Sequence, residues 1–583
     1  MKLKQKFLNP IVFSLTVNTV VLLISVLLFH PFFEENDDAF LAMIAEGAYG
    51  TRESHLIYVS SVLGRLLTLL YSVLPAIRWH CVLQYAFLFL AYCAVTAVLC
   101  RRRHGRLLSV LLLLCTFYES YVSLQYTKTA AVVTAAGFVL LFESLRRKRT
   151  EGKFPAALIV IGDLLLLYGA LLRSSAFLLS SVLLLCVGLY EVYRLYKESG
   201  KSRFFKKLLD YAAVFAPVLC LVFLLFAFDR QAYKTDGNWN AFMEYNDTRM
   251  ALLDYRYDLL DYAANAERLK SLGISENDAL LYLTWQFGDD RVLNTKFMEH
   301  VMAGAQPRAV DGALFKAFAS SLFEELYSLS ALVPGLFCVL ALLVLSAFAG
   351  NRAEKKSFLH YLLLNAAMLS VILFYYQYSG RWNHRVVSAL FLALLPALFF
   401  EGSLRAHGGE QEHAKGRELA GEQGLFKAGL LAIALVVFFN IGLLLDNQFT
   451  YRAYQREEPA YAAQLAAMRK EKDTLFVMDM FTFQRAYQYD VFTAYPAGSL
   501  NNAVLAGSWF VNSPITRAIT KGYGYANPFE ALEKGNGDVV LLDNCYPEEK
   551  AQYLSEHTGQ TFEAVYEKTE NGFDRYRIKE TEK

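Results

Sequence analysis

Residues 31–58 read PFFEENDDAFLAMIAEGAYGTRESHLIY. The stretch follows a long apolar run, 11–29, and opens with four acids, Glu34, Glu35, Asp37 and Asp38. A helix needs roughly 17–25 mostly apolar residues to cross a bilayer, so the run is long enough, and the acids then stand at the membrane surface. Lys2, Lys4 and Lys6 precede the run and no A-x-A-like site follows it, which reads as an uncleaved anchor rather than a signal peptide.

Composition agrees with a membrane reading. The 583 residues are 55% hydrophobic and only 19% charged, too apolar for a soluble enzyme. A net charge of +2 argues against nucleic-acid binding. Of the eight cysteines, Cys545 stands alone and the others lie in or beside apolar runs without ligand spacing, so neither a disulfide frame nor a zinc site is legible. The expected fold class is a polytopic α-helical membrane protein of about eleven spans: 11–29, 82–100, 107–124, 129–142, 154–172, 175–193, 208–228, 329–348, 358–375, 386–400 and 429–445.

The basic residues orient these spans, because Lys and Arg accumulate in cytoplasmic loops. With the N-terminus cytoplasmic, RRRHGR (101–106), RRKR (146–149), 194–207, 351–356 and 405–427 all fall on the inner side. Counting 56–74 as a span would reverse that parity for RRRHGR and RRKR, so it is expected to lie in the interface. Two units follow: residues 1–445 in the membrane, carrying a first outer loop (31–80) and a large outer helical loop (229–328), and an extracytoplasmic α/β domain over 446–583. In that domain the pattern predicts strands at 474–478 and 538–543, a helix at 547–557, and a hairpin at 562–578 turning at Asn571-Gly572.

Two adjacent carboxylates at the outer end of a span suit two chemistries. Asp37 and Asp38 together hold a divalent cation against a phosphate, or one of them takes a proton from an acceptor hydroxyl. The short outer turns bring Tyr126, Lys128, Arg173, Arg381, His384 and Arg385 to the same level, against the positive-inside trend. Arginine binds phosphate in bidentate fashion and lysine as a point charge. Acids and cations gathered there point to transfer of a group from a phospholipid-like donor. Asn246-Asp247-Thr248 spells a glycosylation acceptor, and Asp289 with Asp290 reads as a turn rather than a second acidic site.

This layout resembles the C-type superfold of integral-membrane glycosyltransferases, of the bacterial surface-polysaccharide kind. The NDDAF segment with Asp37 and Asp38 is similar to that superfamily's first-loop acidic motif, and YSGRWNHRVVSALFLALLPAL (378–398) looks like a G-R-x-x-x-R segment leading into a proline-containing span. The D-x-D spacing of many members is absent. The resemblance implies a plasma-membrane enzyme of the cell envelope that moves a sugar from a polyprenyl-phosphate-linked donor to a glycan or lipid-linked acceptor on the outer face. It implies Asp37 or Asp38 as catalytic base with the other as orienting or metal-bound partner, magnesium or manganese being the candidate cations. Lys128, Arg173, Arg381 and Arg385 become phosphate ligands, and Glu34, Arg52, Glu53, His55, Tyr126 and His384 become substrate contacts. Two rivals stand beside this: a polysaccharide polymerase or ligase, and a non-enzymatic polytopic protein that binds glycan or a partner. Membrane lipids are expected partners; sugar, acceptor and oligomeric state are not legible.

Overall fold

Apolar runs become helices here because a bilayer offers backbone groups no water to bond, and only a helix satisfies them within one segment. A computed structural model of the chain describes residues 9–102, 104–328, 352–405, 415–535 and 537–581. Among the described residues eight helices are long and apolar enough to cross a membrane, including Pro10–Leu27, Trp79–Leu99, Tyr126–Glu151, Leu359–Ser379 and Phe426–Met468. Ala156–Leu172 and His384–Phe400 are shorter apolar helices, and the expected span at 329–348 lies outside the described residues. The segments Ser174–Lys197 and Phe204–Thr235 lie side by side, since Glu191 and Tyr211 both meet Arg149 and the rings of Phe177 and Phe226 touch. The expected interfacial segment forms a helix of 13 residues, Ser61–Val73, too short to span. Leu63, Leu67 and Tyr71 are buried on it, while Leu66, Leu69 and Val73 are exposed.

The large loop is helical as expected, from Gly237–Arg249 to Gly312–Ser328. Asn246 within it is 2% exposed and accepts from Arg249, so the Asn246-Asp247-Thr248 triplet presents no acceptor surface. Ser275 caps Glu276–Leu283 through a reciprocal bond with Asp278.

The last of the long apolar helices runs without a break from Lys415 to Met468, so the expected boundary at 446 falls inside a helix. Beyond it, strands β3 (Leu475–Met478), β4 (Ala503–Leu505), β5 (Val539–Leu542), β6 (Phe562–Glu570) and β7 (Phe573–Glu580) form one sheet in the order β4-β3-β5-β7-β6. The first three are parallel; β7 is antiparallel to both its neighbours. The hairpin turns where expected, at Asn571 and Gly572, both with positive φ as a type I′ turn requires. The three-residue strand β4, and the helices Pro514–Gly522 and Pro528–Lys534, were not expected.

The sheet domain packs directly on the first loop. Within that loop Asp37–Glu46 is a helix buried along its whole length, ended by Gly47 in the left-handed region. Phe40 packs against Phe483, Tyr487, Trp509 and Phe510. At the other end of the helix Glu46 takes Nε of Arg78 at 2.9 Å and the backbone N–H of Tyr495 at 3.0 Å, and Arg78 donates to the carbonyl of Asp490 at 2.6 Å. Two tiny strands, β1 (Phe32–Phe33) and β2 (Ser123–Leu124), pair in parallel and tie the loop to the end of Gly105–Val122.

Arg78 is fully buried, so removing it leaves the Glu46 carboxylate without its counter-ion. Arg78→Ala is expected to cost about 3–5 kcal/mol. Limited proteolysis should then cut between the membrane unit and the sheet domain in the variant under conditions that spare the parent.

Candidate active site

A cavity of about 630 Å³ opens where the first loop, the large loop, the turn 380–385 and the sheet domain meet. Glu34, Glu35 and Asp37 reach it from the first loop, Asp254 and Trp285 from the large loop, and Gln484 and Trp509 from the sheet domain. A second chamber of about 310 Å³ continues from it, lined by Ser175, Leu179, Val386, Ala389 and Leu390 of the apolar helices. Tyr58, Arg173, Arg381, Asn383 and Arg385 border both. A polar chamber and a more apolar one therefore share a rim of three guanidiniums.

Local structure explains the rim. Gly380 ends the helix Arg352–Ser379 at φ 74°, a conformation natural to glycine, and the N–H of Arg381 returns to the carbonyl of Tyr376. Arg385 then follows at the start of His384–Arg405. Arg385 Nη1 lies 2.5 Å from Asp37 and 2.8 Å from Glu35. Arg381 lies 2.6 Å from Asp254, which Arg249 also holds at 3.1 Å. Arg173 has no carboxylate partner among the described residues. Its guanidinium sits over the rings of Tyr58 and Tyr126, at 4.6 and 5.2 Å. Burial raises the Glu35 carboxyl above its ordinary value, and Arg385 opposes that rise.

The two adjacent aspartates separate in role. Asp37 lines the cavity. Asp38 is fully buried, takes Gln84 Nε2 at 2.7 Å and His80 Nε2 at 3.0 Å on one oxygen, and accepts the N–H of Tyr126 at 3.0 Å on the other. It anchors the helix start and does not reach the cavity. Asp37 Oδ2 meets the Arg385 guanidinium, and both oxygens of Asp38 are engaged by protein donors. Among the described residues one group has metal-like spacing, Asp479, Asp543 and Cys545 in the sheet domain, and there the Lys550 ammonium lies 2.5 Å from Asp543.

Lys128, expected on a phosphate, is 1% exposed and lies between Glu34 and Glu119, at 2.9 Å from the latter. It does not line the cavity, because the carboxylates of Glu34 and Glu119 claim its charge. His384 sits between Glu325 and Glu119 beneath the rim. Tyr126 supplies the ring under Arg173 rather than a cavity wall. Arg52, Glu53 and His55 stand apart from the cavity: His55 stacks on Trp239, and Glu53 accepts from His55 Nδ1 at 2.8 Å and from the N–H of Ser54 at 2.7 Å. Asp289 and Asp290 brace the large loop against the sheet domain through Asn527 and Arg517.

Glu35, Asp254, Trp285 and Gln484 complete the cavity without having been expected there. Glu35 was legible within the acid run; Asp254 sits in an amphipathic pattern that gave it no distinction.

No family model matches the chain, and no curated protein matches it by sequence. Among solved structures the chain is similar to ArnT from Cupriavidus metallidurans bound to undecaprenyl phosphate, at 12% identity over 97% of each chain, with a TM-score of 0.34.

Burial pushes Glu53 up, but its bonds to His55 and Ser54 outweigh that and hold it below the ordinary 4.5. Its contribution to stability is then complete above pH 4.5 and is lost as pH falls through the lower folded value. The thermal midpoint of Glu53→Gln should lie below the parent's at pH 7, and the gap should close as the pH falls below 4.5.

Proposed function

We propose that the protein is a membrane glycosyltransferase that moves a sugar from a polyprenyl-phosphate-linked donor to a glycan or lipid-linked acceptor at the outer face. The observation that carries this reading is the single cavity in which Asp37 stands beside Arg385, with Arg381 and Arg173 on the same rim. The apolar chamber suits the first isoprenyl units of a lipid donor, the guanidiniums suit its phosphate, and the polar chamber suits the sugar and the acceptor.

Charge balance suggests the order of events. Arg385 is neutralised by Asp37 and Glu35, and Arg381 by Asp254, whereas Arg173 lacks an anionic partner among the described residues. A donor phosphate docks first on Arg173, then draws Arg385 toward itself, which frees the Asp37 carboxylate. Asp37 takes the proton of the acceptor hydroxyl as that oxygen attacks the anomeric carbon. The bond from that carbon to the phosphate oxygen breaks, its electron pair stays on the phosphate, and the arginines stabilise the charge that develops there. Asp38 holds the helix that carries Asp37 and takes no part in proton transfer.

Transfer from a radiolabelled panel of polyprenyl-phosphate sugars, with acceptor extract, by detergent-solubilised protein tests this. Asp37→Asn is expected to lower kcat by about 10²–10⁴ while the protein stays folded. Asp38→Asn should instead reduce the yield of folded protein, since three donors then face an amide. An Asp37→Asn variant that keeps the parent's rate would reject the assignment, and absence of transfer from every donor would move the reading to a polymerase or a binding protein.

A further inference from the structure

Away from the central cavity, a cleft of about 300 Å³ lies between the helix Lys415–Met468 and the loop that follows residue 485. That volume is at the lower end of the range for ligand sites, roughly 300–1,000 Å³. Tyr454, Glu458, Tyr461 and Arg469 line it from the helix, and Asp490 and Tyr495 from the loop. Two rings of the wall, Tyr454 and Tyr461, lie 6.2 Å apart between centres.

We propose that this cleft binds an extended saccharide, the chain that carries the acceptor hydroxyl to the central cavity. Its chemistry is that of sugar recognition, in which tyrosine rings present flat amphipathic faces and carboxylates accept paired hydroxyl donors. Asp490 accepts from Tyr495 through one oxygen at 2.9 Å, and its other oxygen carries no protein partner among the described residues. The side chains of Glu458 and Arg469 likewise carry none there. Opposite charges on one wall match a neutral, polyhydroxylated ligand better than a highly charged one.

Position supplies the second argument. The segment 480–490 walls both spaces: Met480, Phe481 and Gln484 face the central cavity, and Ala486 and Asp490 face the cleft. A saccharide seated in the cleft thus abuts the segment that also walls the reaction chamber. The cleft also stands just clear of the apolar surface, because Tyr454 follows the 77% exposed Phe449 by five residues, about 7.5 Å along a helix. A single sugar gains nothing from a site outside the reaction chamber, so the acceptor inferred is an oligosaccharide. This identification of the occupant rests on the transferase reading.

The test is binding to the detergent-solubilised full chain, without donor, followed by saturation-transfer NMR. The probes are glucan, galactan and chitin-type tetrasaccharides with their monosaccharides. At least one tetrasaccharide should bind, with its monosaccharide at least tenfold weaker. Glu458→Gln, at an exposed position, and Tyr454→Ala should each weaken it about three- to tenfold. No binding by any tetrasaccharide, or binding that both cleft variants leave within twofold, overturns the proposal. So does loss of binding in phosphatidylethanolamine nanodiscs, which would assign the cleft to a lipid headgroup. A chain that binds through the cleft yet transfers no sugar would overturn the transferase reading and leave the cleft standing; transfer without cleft binding would do the reverse.

Discussion

Charge that leaves water must find a partner, and the first loop is built on that constraint. Between residues 34 and 46 every carboxylate meets a donor: Glu34 meets Lys128, Glu35 and Asp37 share Arg385, Asp38 takes His80 and Gln84, and Glu46 takes Arg78. These donors come from separate parts of the chain, so pairing the acids gathers the rest of the protein around one short helix. Breaking such a pair costs far more than either charge contributes in water, because the remaining ion stays buried. The helix also benefits directly, since Asp37 and Asp38 sit in its first turn where the backbone dipole favours negative charge.

The same constraint separates what the loop holds rigid from what it leaves open. Lys128 and Asp38 have all their partners inside the protein and serve as fixtures. Asp37, Arg385, Arg381 and Arg173 border the cavity, where a ligand can replace a protein partner. Of these Arg173 is held by aromatic faces instead of by an acid, which keeps its charge in place without cancelling it. A π-turn at Tyr118–Val122 places Glu119 under this rim, and such irregular helix turns recur where a side chain must be aimed.

The sheet domain is part of this construction and not an appendage. Its loop 486–496 receives Arg78 and the Glu46 carboxylate, and its helix Met480–Gln484 closes one side of the cavity. The unbroken helix Lys415–Met468 joins it to the membrane unit, so the domain is set at a fixed height above the bundle rather than hung on a flexible linker.

Hydropathy and charge in the sequence alone determined the multi-span class, the amphipathic 61–73 helix and the hairpin at Asn571-Gly572, because each depends on local periodicity or on a two-residue backbone preference. They also drew attention to Asp37, Arg173, Arg381 and Arg385, since ionisable groups at the end of an apolar run are conspicuous. Tertiary structure alone decided which of two adjacent aspartates reaches the cavity, for neighbours on a helix point about 100° apart and no local signal says which side is open. It likewise decided that Lys128 is neutralised and that Asp254, Gln484 and Trp509 join the site. Those outcomes depend on contacts between separate elements of the chain, and a one-dimensional pattern carries no record of them.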